Sequence, residues 1–325
     1  MVVDISRLEG WVPIRIYPQG PELMVDWCYL GDETFIDPFF SITIESLLQE
    51  PFHVLFRQQT PIGVLEELYL SHPGMNPTGL IFHMTKCGST AITQAFASVG
   101  NLVLSEAEPL EMLLNRGPMT PNISDEQLVS WLRWMVSALG QRRTGAEKHY
   151  FIKFNAFPIT RLPMLQRAFP KVPWIFVYRD PIEVLASLDE LPGCMMRGAI
   201  RPDAVGMDAA SFSNMSQDEY LVRLLAHYCK CGLRWHGSCG RLVNFRELPN
   251  AIWTSIAKHF NVEFTGEELV AMQRRLSFNA KRPQEKYSDD SESKRRMGAP
   301  RWRELATKWI EPVYEQLEAA RTSLP

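Results

Sequence analysis

The sequence lacks long hydrophobic runs and a recognisable export signal, and it uses cysteine sparingly. No apolar stretch approaches the roughly 18 residues that span a bilayer, and the first residues carry Asp4 instead of an apolar signal core. The six cysteines are thinly spread over 325 residues, which favours reduced thiols over a disulfide framework. We therefore predict a cytoplasmic protein without a membrane span.

The sequence also lacks an excess of charge of one sign. It has 34 Lys and Arg residues against 37 Asp and Glu residues, for a net charge of −3. This balance argues against a nucleic-acid partner, so any anion site must be built locally by geometry. Hydrophobic residues make up 46% of the chain and charged residues 22%, which are ordinary values for a globular protein.

Two regions of the chain differ in pattern. Residues 1–78 are rich in aromatic residues and prolines and contain the strand-like segments WVPIRIY and FHVLFRQQ. We predict that they form an N-terminal lead-in or a small β-rich cap, with a boundary at the turn-forming cluster 72–79. Residues 79–325 are predicted to form one α/β domain.

From residue 79 onward, short apolar strands alternate with amphipathic helices, which is typical of a parallel sheet with helical crossovers. Strands are predicted at 80–84, 102–104, 150–154, 174–178 and 241–245. Helices are predicted at 90–99, 125–142, 159–169, 181–190, 216–236, 250–260, 265–276 and 301–321. Residues 191–215 are predicted to be a loop, and the polar stretch 279–300 a flexible segment.

The strongest functional pattern is GLIFHMTKCGSTAITQAF (79–96), in which a strand leads through a tight loop into a helix. This arrangement directs backbone N–H groups and the positive end of the helix dipole to one point, where an anion binds favourably. Gly88 lets the backbone approach the anion, Ser89 and Thr90 add hydroxyl donors, and Lys86 adds a positive charge. An ordinary βα turn with a solvated lysine is the alternative interpretation.

The loop is not a Walker A motif. That motif has its lysine directly after the second glycine and another glycine five residues before that pair. Here position 83 is His, and Lys86 precedes Gly88 by two residues. No acidic strand end of the type that holds Mg²⁺ is evident.

A second pattern, PWIFVYRDPIEVLASL, lies at 173–188. Arg179 leaves the end of an apolar strand, Asp180 is suited to cap the following helix, and Pro181 is suited to its first turn. Ser187 lies two turns further along. The planar guanidinium of Arg179 is a good phosphate ligand, although an ion pair with Asp180 would also explain it.

Together the two patterns resemble the sulfotransferases that use 3′-phosphoadenosine-5′-phosphosulfate (PAPS). TKCGSTAI (85–92) resembles the 5′-phosphosulfate loop of that family, and YRDPIEVLAS (178–187) resembles its 3′-phosphate motif. VNFRELPN (243–250) resembles a further strand and turn, and the resemblance extends over about 79–275. It implies a P-loop-containing nucleotide-hydrolase-like α/β fold, with a central parallel sheet flanked by helices.

The resemblance also implies roles for individual residues. Lys86 would contact the transferring sulfuryl group, and residues 87–90 (Cys87, Gly88, Ser89 and Thr90) would donate hydrogen bonds to the 5′-phosphosulfate. Arg179 and Ser187 would hold the 3′-phosphate. Charge on the leaving oxygen would be stabilised by lysine instead of a metal, so we predict no metal requirement. The product would be 3′,5′-diphosphoadenosine (PAP).

The acceptor group must lose a proton, so a general base is expected. Cytosolic members of the family often carry a His where this chain has Asn155, and this departure argues against a histidine base. Other members use a Glu directly after the second strand, where LVLSEAEPLEMLL (102–114) offers Glu106 and, as the alternative, Glu108. Both are also explained as acidic residues in the first turn of a helix. Lys153 is expected to assist the sulfuryl oxygens or merely to end a strand.

Two further segments have weaker interpretations. KRRMG (294–298) loosely resembles a late basic segment of the family that closes over the 3′-phosphate, which would give Arg295 and Arg296 a role in binding; solvated charge is the alternative. HYCKCGLRWHGSC (227–239) suggests zinc, but residues two apart on a helix point in different directions, so buried thiols are expected.

The sequence thus predicts a PAPS-dependent sulfotransferase. A nucleotide-dependent kinase and a protein that binds PAP without catalysis remain as alternatives. The acceptor and the oligomeric state are not determined by the sequence, which is compatible with a homodimer.

Overall fold

A computed structural model of the protein describes residues 5–115, 123–190, 212, 215–237 and 239–323. Its strands are β1 Trp11–Gln19, β2 Glu22–Tyr29, β3 Gln58–Pro61, β4 Gly79–His83, β5 Leu102–Ser105, β6 Tyr150–Lys153, β7 Trp174–Tyr178 and β8 Gly240–Asn244. Its helices are α1 Phe40–Leu47, α2 Pro51–Leu55, α3 Val64–Ser71, α4 Ser89–Ala97, α5 Glu108–Leu114, α6 Asp125–Leu139, α7 Leu162–Ala168, α8 Pro181–Asp189, α9 Gln217–Trp235, α10 Ala257–His259, α11 Gly266–Leu276, α12 Ser291–Trp309 and α13 Glu311–Thr322.

Strands β4 to β8 form a five-stranded sheet in the order β5-β6-β4-β7-β8, and every neighbouring pair is parallel. Strands β4 to β7 are buried along their whole length, as expected for a sheet covered by helices on both faces. The predicted α/β class with a central parallel sheet is therefore confirmed.

The position of β4 in the sheet determines where a ligand binds. The chain leaves β4 toward β5 on one side, whereas β7 adds to the other side. In open α/β sheets, ligands bind beyond the carboxyl ends of the strands where the strand order reverses. The loops that follow β4 and β7 meet at this crevice.

Strands β1, β2 and β3 form a separate antiparallel sheet in the N-terminal region. Strand β1 packs against α5 and α6 of the main domain. The segment FHVLFRQQ is not one strand as predicted: Pro51 starts α2 at its first helical position, and β3 begins only at Gln58. The boundary between residues 78 and 79 stays a prediction.

The C-terminal region also differs from the prediction. The segment 279–300 is helical from Ser291 onward, and the predicted helix 301–321 is divided between α12 and α13. Packing of α12 on α8 explains the difference, since a Cβ atom at Gly298 would lie 2.9 Å from Ala186 Cβ. Trp302 is fully buried and donates a hydrogen bond to Asp189, so tertiary contacts outweigh the polar composition. Most of the predicted loop 191–215 lies outside the described residues.

Candidate active site

The loop after β4 has an unusual backbone. Thr85 and Lys86 adopt positive φ angles of 81° and 47°, and Gly88 has a φ of 85°. A Cβ atom at Gly88 would lie 2.8 Å from Phe245 Cδ2 and 2.9 Å from Leu248 Cδ1, so both conformation and space require glycine. Successive backbone N–H groups of a tight turn form a concavity, which is a common anion-binding geometry. We call residues 85–90 the cradle.

The cradle is attached to the end of β7. The Cys87 thiol donates a hydrogen bond to the carbonyl oxygen of Val177 at 3.1 Å, and burial raises the pKa of this thiol to about 11. The backbone N–H of Arg179 contacts Met84 Sδ at 3.3 Å. These contacts hold Arg179 in a fixed position relative to the cradle, and they leave the Cys87 side chain directed into the core.

Arg179 is buried and surrounded by acceptors. Its Nε donates to Glu183 at 2.6 Å, and its Nη2 donates to Asp290 and Ser291, both at 3.0 Å. Its guanidinium carbon lies 4.1 Å from the centre of the Phe245 ring. The same ring limits the space beside Gly88, so Phe245 connects the cradle with Arg179.

Further cationic and hydroxyl groups surround Arg179. Arg295 forms an ion pair with Glu183, and Lys294 lies 2.5 Å from Asp290. Ser187 is buried and donates to the carbonyl oxygen of Glu183. The described structure therefore brings the side chains of the 3′-phosphate motif next to the basic segment of α12.

Two predicted side chains lie away from the site. Arg296 is exposed and does not line the cavity described below, because neighbouring residues of a helix point in different directions. Glu108 is likewise exposed in the first turn of α5, outside the cavity. Of the predicted residues in these two segments, Glu106 and Arg295 line the cavity, whereas Glu108 and Arg296 do not.

Glu106 directly follows β5 and forms an ion pair with Lys153, the last residue of β6. The parallel register places Ser105 opposite Lys153, which is why the two side chains meet. His83 Nδ1 accepts a hydrogen bond from the backbone N–H of Thr85, so Nε2 carries the ring proton and faces Glu106 at 3.6 Å. Burial lowers the pKa of His83 and keeps the ring neutral. Burial alone would raise the pKa of Glu106, but Lys153 and His83 hold it well below its usual range.

Sequence reasoning missed Glu111, which lies on α5 close to Glu106. Its carboxylate accepts a hydrogen bond of 2.8 Å from the backbone N–H of Asn155. Burial raises the pKa of Glu111 to about 8, although the Asn155 N–H group opposes the shift. The only sequence signal for Glu111 is its place on the same helix as Glu108.

Lys281 and Phe39 were also missed. Both Lys153 and Lys281 lie over the Phe39 ring, with their Nζ atoms 4.9 and 5.4 Å from its centre. Desolvation by the residues around it, together with the charges of Lys86 and Lys153, lowers the pKa of Lys281 to about 8. Neither residue belongs to a local sequence motif. Phe39 lies in the N-terminal region, and Lys281 lies in a loop near residue 280.

One cavity of about 1110 Å³ connects these groups. Its volume slightly exceeds the range for small-molecule sites, roughly 300–1,000 Å³. The sequence-predicted residues that line it are Lys86, Cys87, Gly88, Ser89, Thr90, Glu106, Lys153, Arg179, Ser187 and Arg295. The cavity therefore extends from the cradle to Arg179.

The cysteine and histidine side chains at 227–239 do not line this cavity. In α9, Cys231 Sγ is 3.6 Å from His227 Nε2, and Cys229 is fully buried. Among the described residues, no group of three or more His, Cys, Asp and Glu side chains has a metal-binding arrangement. Within the same residues, no helix is both long and apolar enough to cross a bilayer.

Comparisons with known proteins give structural matches only. No family model matches the sequence, and no curated protein does. The structure is similar to a sulfotransferase from Alicyclobacillus acidocaldarius, with 13% identity, a TM-score of 0.43 and coverage of 77% of this chain and 98% of that one. It is also similar to sulfotransferase STF9 from Mycobacterium avium, with 13% identity, a TM-score of 0.42 and coverage of 75% and 81%.

Proposed function

We propose that this protein is a sulfotransferase that moves a sulfuryl group from PAPS to a hydroxyl or amine of an acceptor. The observation that supports this most is that the cradle and Arg179 line one cavity. A donor with a 5′-phosphosulfate and a 3′-phosphate needs two anion sites separated by room for a nucleoside. The two sequence motifs supply those sites from different strand ends.

The residues of the cavity fit such a donor. The cradle offers backbone N–H groups at the N-terminus of α4, where phosphate and sulfate bind favourably. At the other end, Arg179 and Ser187 lie beside Arg295 and Lys294. The 3′-phosphate would replace Asp290 as the partner of Arg179, while Glu183 keeps its bond to Nε.

Bound PAPS would supply an activated sulfuryl group with PAP as the leaving group. Lys86 and the N–H groups of the cradle stabilise negative charge at the leaving oxygen. Lys153 faces the same part of the cavity and attracts the sulfuryl oxygens. Because sulfuryl transfer depends mainly on positioning and charge stabilisation, these contacts provide most of the chemistry.

Glu106 is the base that the sequence favours, and it faces the cavity. Its ion pair with Lys153 gives it a second role, since Lys153 is only 1% exposed and needs a counter-charge. Glu106 therefore holds Lys153 in place and compensates its charge. A carboxylate engaged in this way is a weak base.

The proposal is tested by ligand-induced thermal stabilisation with PAP, ADP and AMP. We expect PAP to raise the melting temperature most, because only PAP engages both anion sites. Equal stabilisation by PAP and ADP would contradict the role of Arg179 and Ser187. Preference for ATP with Mg²⁺, together with phosphoryl transfer, would favour the kinase alternative.

Catalysis is tested by the Lys86→Ala variant with radiolabelled PAPS. We expect sulfuryl transfer to fall at least about a hundredfold, as for the loss of one charge-stabilising group. The variant should still fold, since Lys86 lies on a loop. Undiminished transfer would refute the role of Lys86, and PAP binding without any transfer by the wild type would favour a non-catalytic binding protein. A cytoplasmic location and a homodimer stay predictions.

A further inference from the structure

The acceptor's proton needs a base, and the position at which the family resemblance leads us to expect a histidine is Asn155. The side chain of Asn155 is occupied in a turn, where its Oδ1 accepts a hydrogen bond from the backbone N–H of Phe157. Its own backbone N–H is directed to Glu111. A carboxylate from α5 therefore lies next to Asn155.

We propose that Glu111 is the group that takes the proton from the acceptor, while Glu106 serves to hold Lys153. This inference rests on the proposed sulfotransferase function. Glu111 and Glu106 line the same cavity, but only Glu106 is neutralised by a lysine. The Glu111 carboxylate instead accepts a hydrogen bond from the backbone N–H of Asn155.

A second polar group marks the same part of the cavity. Tyr228 of α9 lines the cavity and is fully buried, and its hydroxyl has no hydrogen-bond partner among the described residues. A buried hydroxyl without a partner costs free energy unless a ligand or water satisfies it. Burial raises the pKa of the Tyr228 hydroxyl, and the charge of Glu111 adds a smaller contribution. We infer that the acceptor's hydroxyl or amine lies between these two side chains.

The charges around Glu111 are consistent with a base that works near neutral pH. Glu111 shares the cavity with Glu106 at the end of β5, Lys153 of β6 and Tyr228 of α9, and its carboxylate accepts the hydrogen bond from the backbone of Asn155. Burial is the main reason that its pKa reaches about 8, and the negative charge of Glu106 contributes. A general base is most effective when its pKa is close to the working pH.

The acceptor oxygen or nitrogen forms a bond to sulfur while the bond from sulfur to the 5′-phosphate oxygen breaks. The electron pair of the broken bond stays on PAP, and the acceptor's proton moves to Glu111. Glu111 then returns the proton to solvent.

A direct titration tests whether the Glu111 carboxyl group has a pKa close to the working pH. In protein labelled with carbon-13 at the glutamate carboxyl groups, we expect one signal to titrate with a midpoint near pH 8. The signal should be absent from Glu111→Gln and present in the matched control Glu66→Gln, an exposed residue of α3. A protein in which no glutamate titrates above pH 6 would overturn the inference.

The role in transfer is tested with PAPS and water as the acceptor, by measuring PAP formation across pH 6 to 9. For the wild type we expect the rate to rise tenfold per pH unit and to level off near pH 8, because only ionised Glu111 accepts a proton. Glu111→Gln should lower the rate at pH 8 about a hundredfold or more and abolish this pH dependence. Tyr228→Phe should lower the rate and keep the pH dependence.

The outcomes separate the inference from the proposed function. PAP affinity should stay within about twofold in Glu111→Gln, since the amide oxygen can still accept the Asn155 hydrogen bond. A wild type that binds ADP as well as PAP would overturn the proposed function and leave the titration result intact. A wild type that binds PAP and forms none from PAPS would likewise overturn the proposed function. An unchanged pH profile in Glu111→Gln, with PAPS turnover in the wild type, would overturn the role of Glu111 alone.

Discussion

Replacing Gly88 by alanine tests how the cradle is built. At a φ of 85°, alanine costs about 1–2 kcal/mol because its Cβ atom crowds the following carbonyl oxygen. The new Cβ atom would also lie 2.8 Å from Phe245 and 2.9 Å from Leu248, and such overpacking costs about 1–3 kcal/mol. The expected loss in the free energy of unfolding is therefore about 2–5 kcal/mol.

Gly100 is the matched control. It also has a positive φ, 77°, but a Cβ atom there would have no neighbour within 4 Å. Gly100→Ala should therefore lower the free energy of unfolding only by the conformational cost of a positive φ, about 1–2 kcal/mol. Urea unfolding of the two variants and the wild type measures the difference directly.

The same substitution should weaken ligand binding. Displacement of Phe245 moves the ring that packs against the Arg179 guanidinium at 4.1 Å. We expect Gly88→Ala to lower PAP affinity at least about tenfold, equivalent to roughly 1.4 kcal/mol, whereas Gly100→Ala should leave it unchanged. Equal destabilisation by both variants, with equal PAP affinity, would refute the argument that close packing against Phe245 shapes the cradle.

Two further predictions concern the charges of the cavity. Asp290→Asn removes the carboxylate that would compete with the 3′-phosphate for Arg179, so isothermal titration should show PAP binding about two- to fivefold tighter. The effect is modest because Asp290 is half exposed. No gain in affinity over the control Glu292→Gln would contradict this prediction. Lys281, whose pKa is about 8, is charged below that pH and neutral above it, so PAP affinity should fall as the pH rises through 8. The fall should be smaller in Lys281→Gln than in the control Lys171→Gln, and identical pH profiles would show that Lys281 does not contact the donor.

Much of the main domain could be predicted from local sequence patterns. Fully buried strands appear as short apolar runs, and β7 matches its predicted range of 174–178. The N-terminal region was harder, because β2 has no simple alternation and α2 exposes apolar residues that suggested a strand. The first half of α12, residues 291–300, was missed because its composition is polar and its order comes from packing on α8.

The sequence by itself determined the two segments proposed to bind anions, because each is a contiguous strand, turn and helix whose geometry follows from local residues such as Gly88 and Asp180. Only the tertiary structure decided which side chains complete the site between them. Phe39 and Lys281 are 242 positions apart in the chain, yet the Lys281 ammonium group lies over the Phe39 ring. The pKa values of Glu106 and Glu111 depend on burial and on Lys153. Burial results from the packing of the whole fold, so no local sequence pattern predicts it.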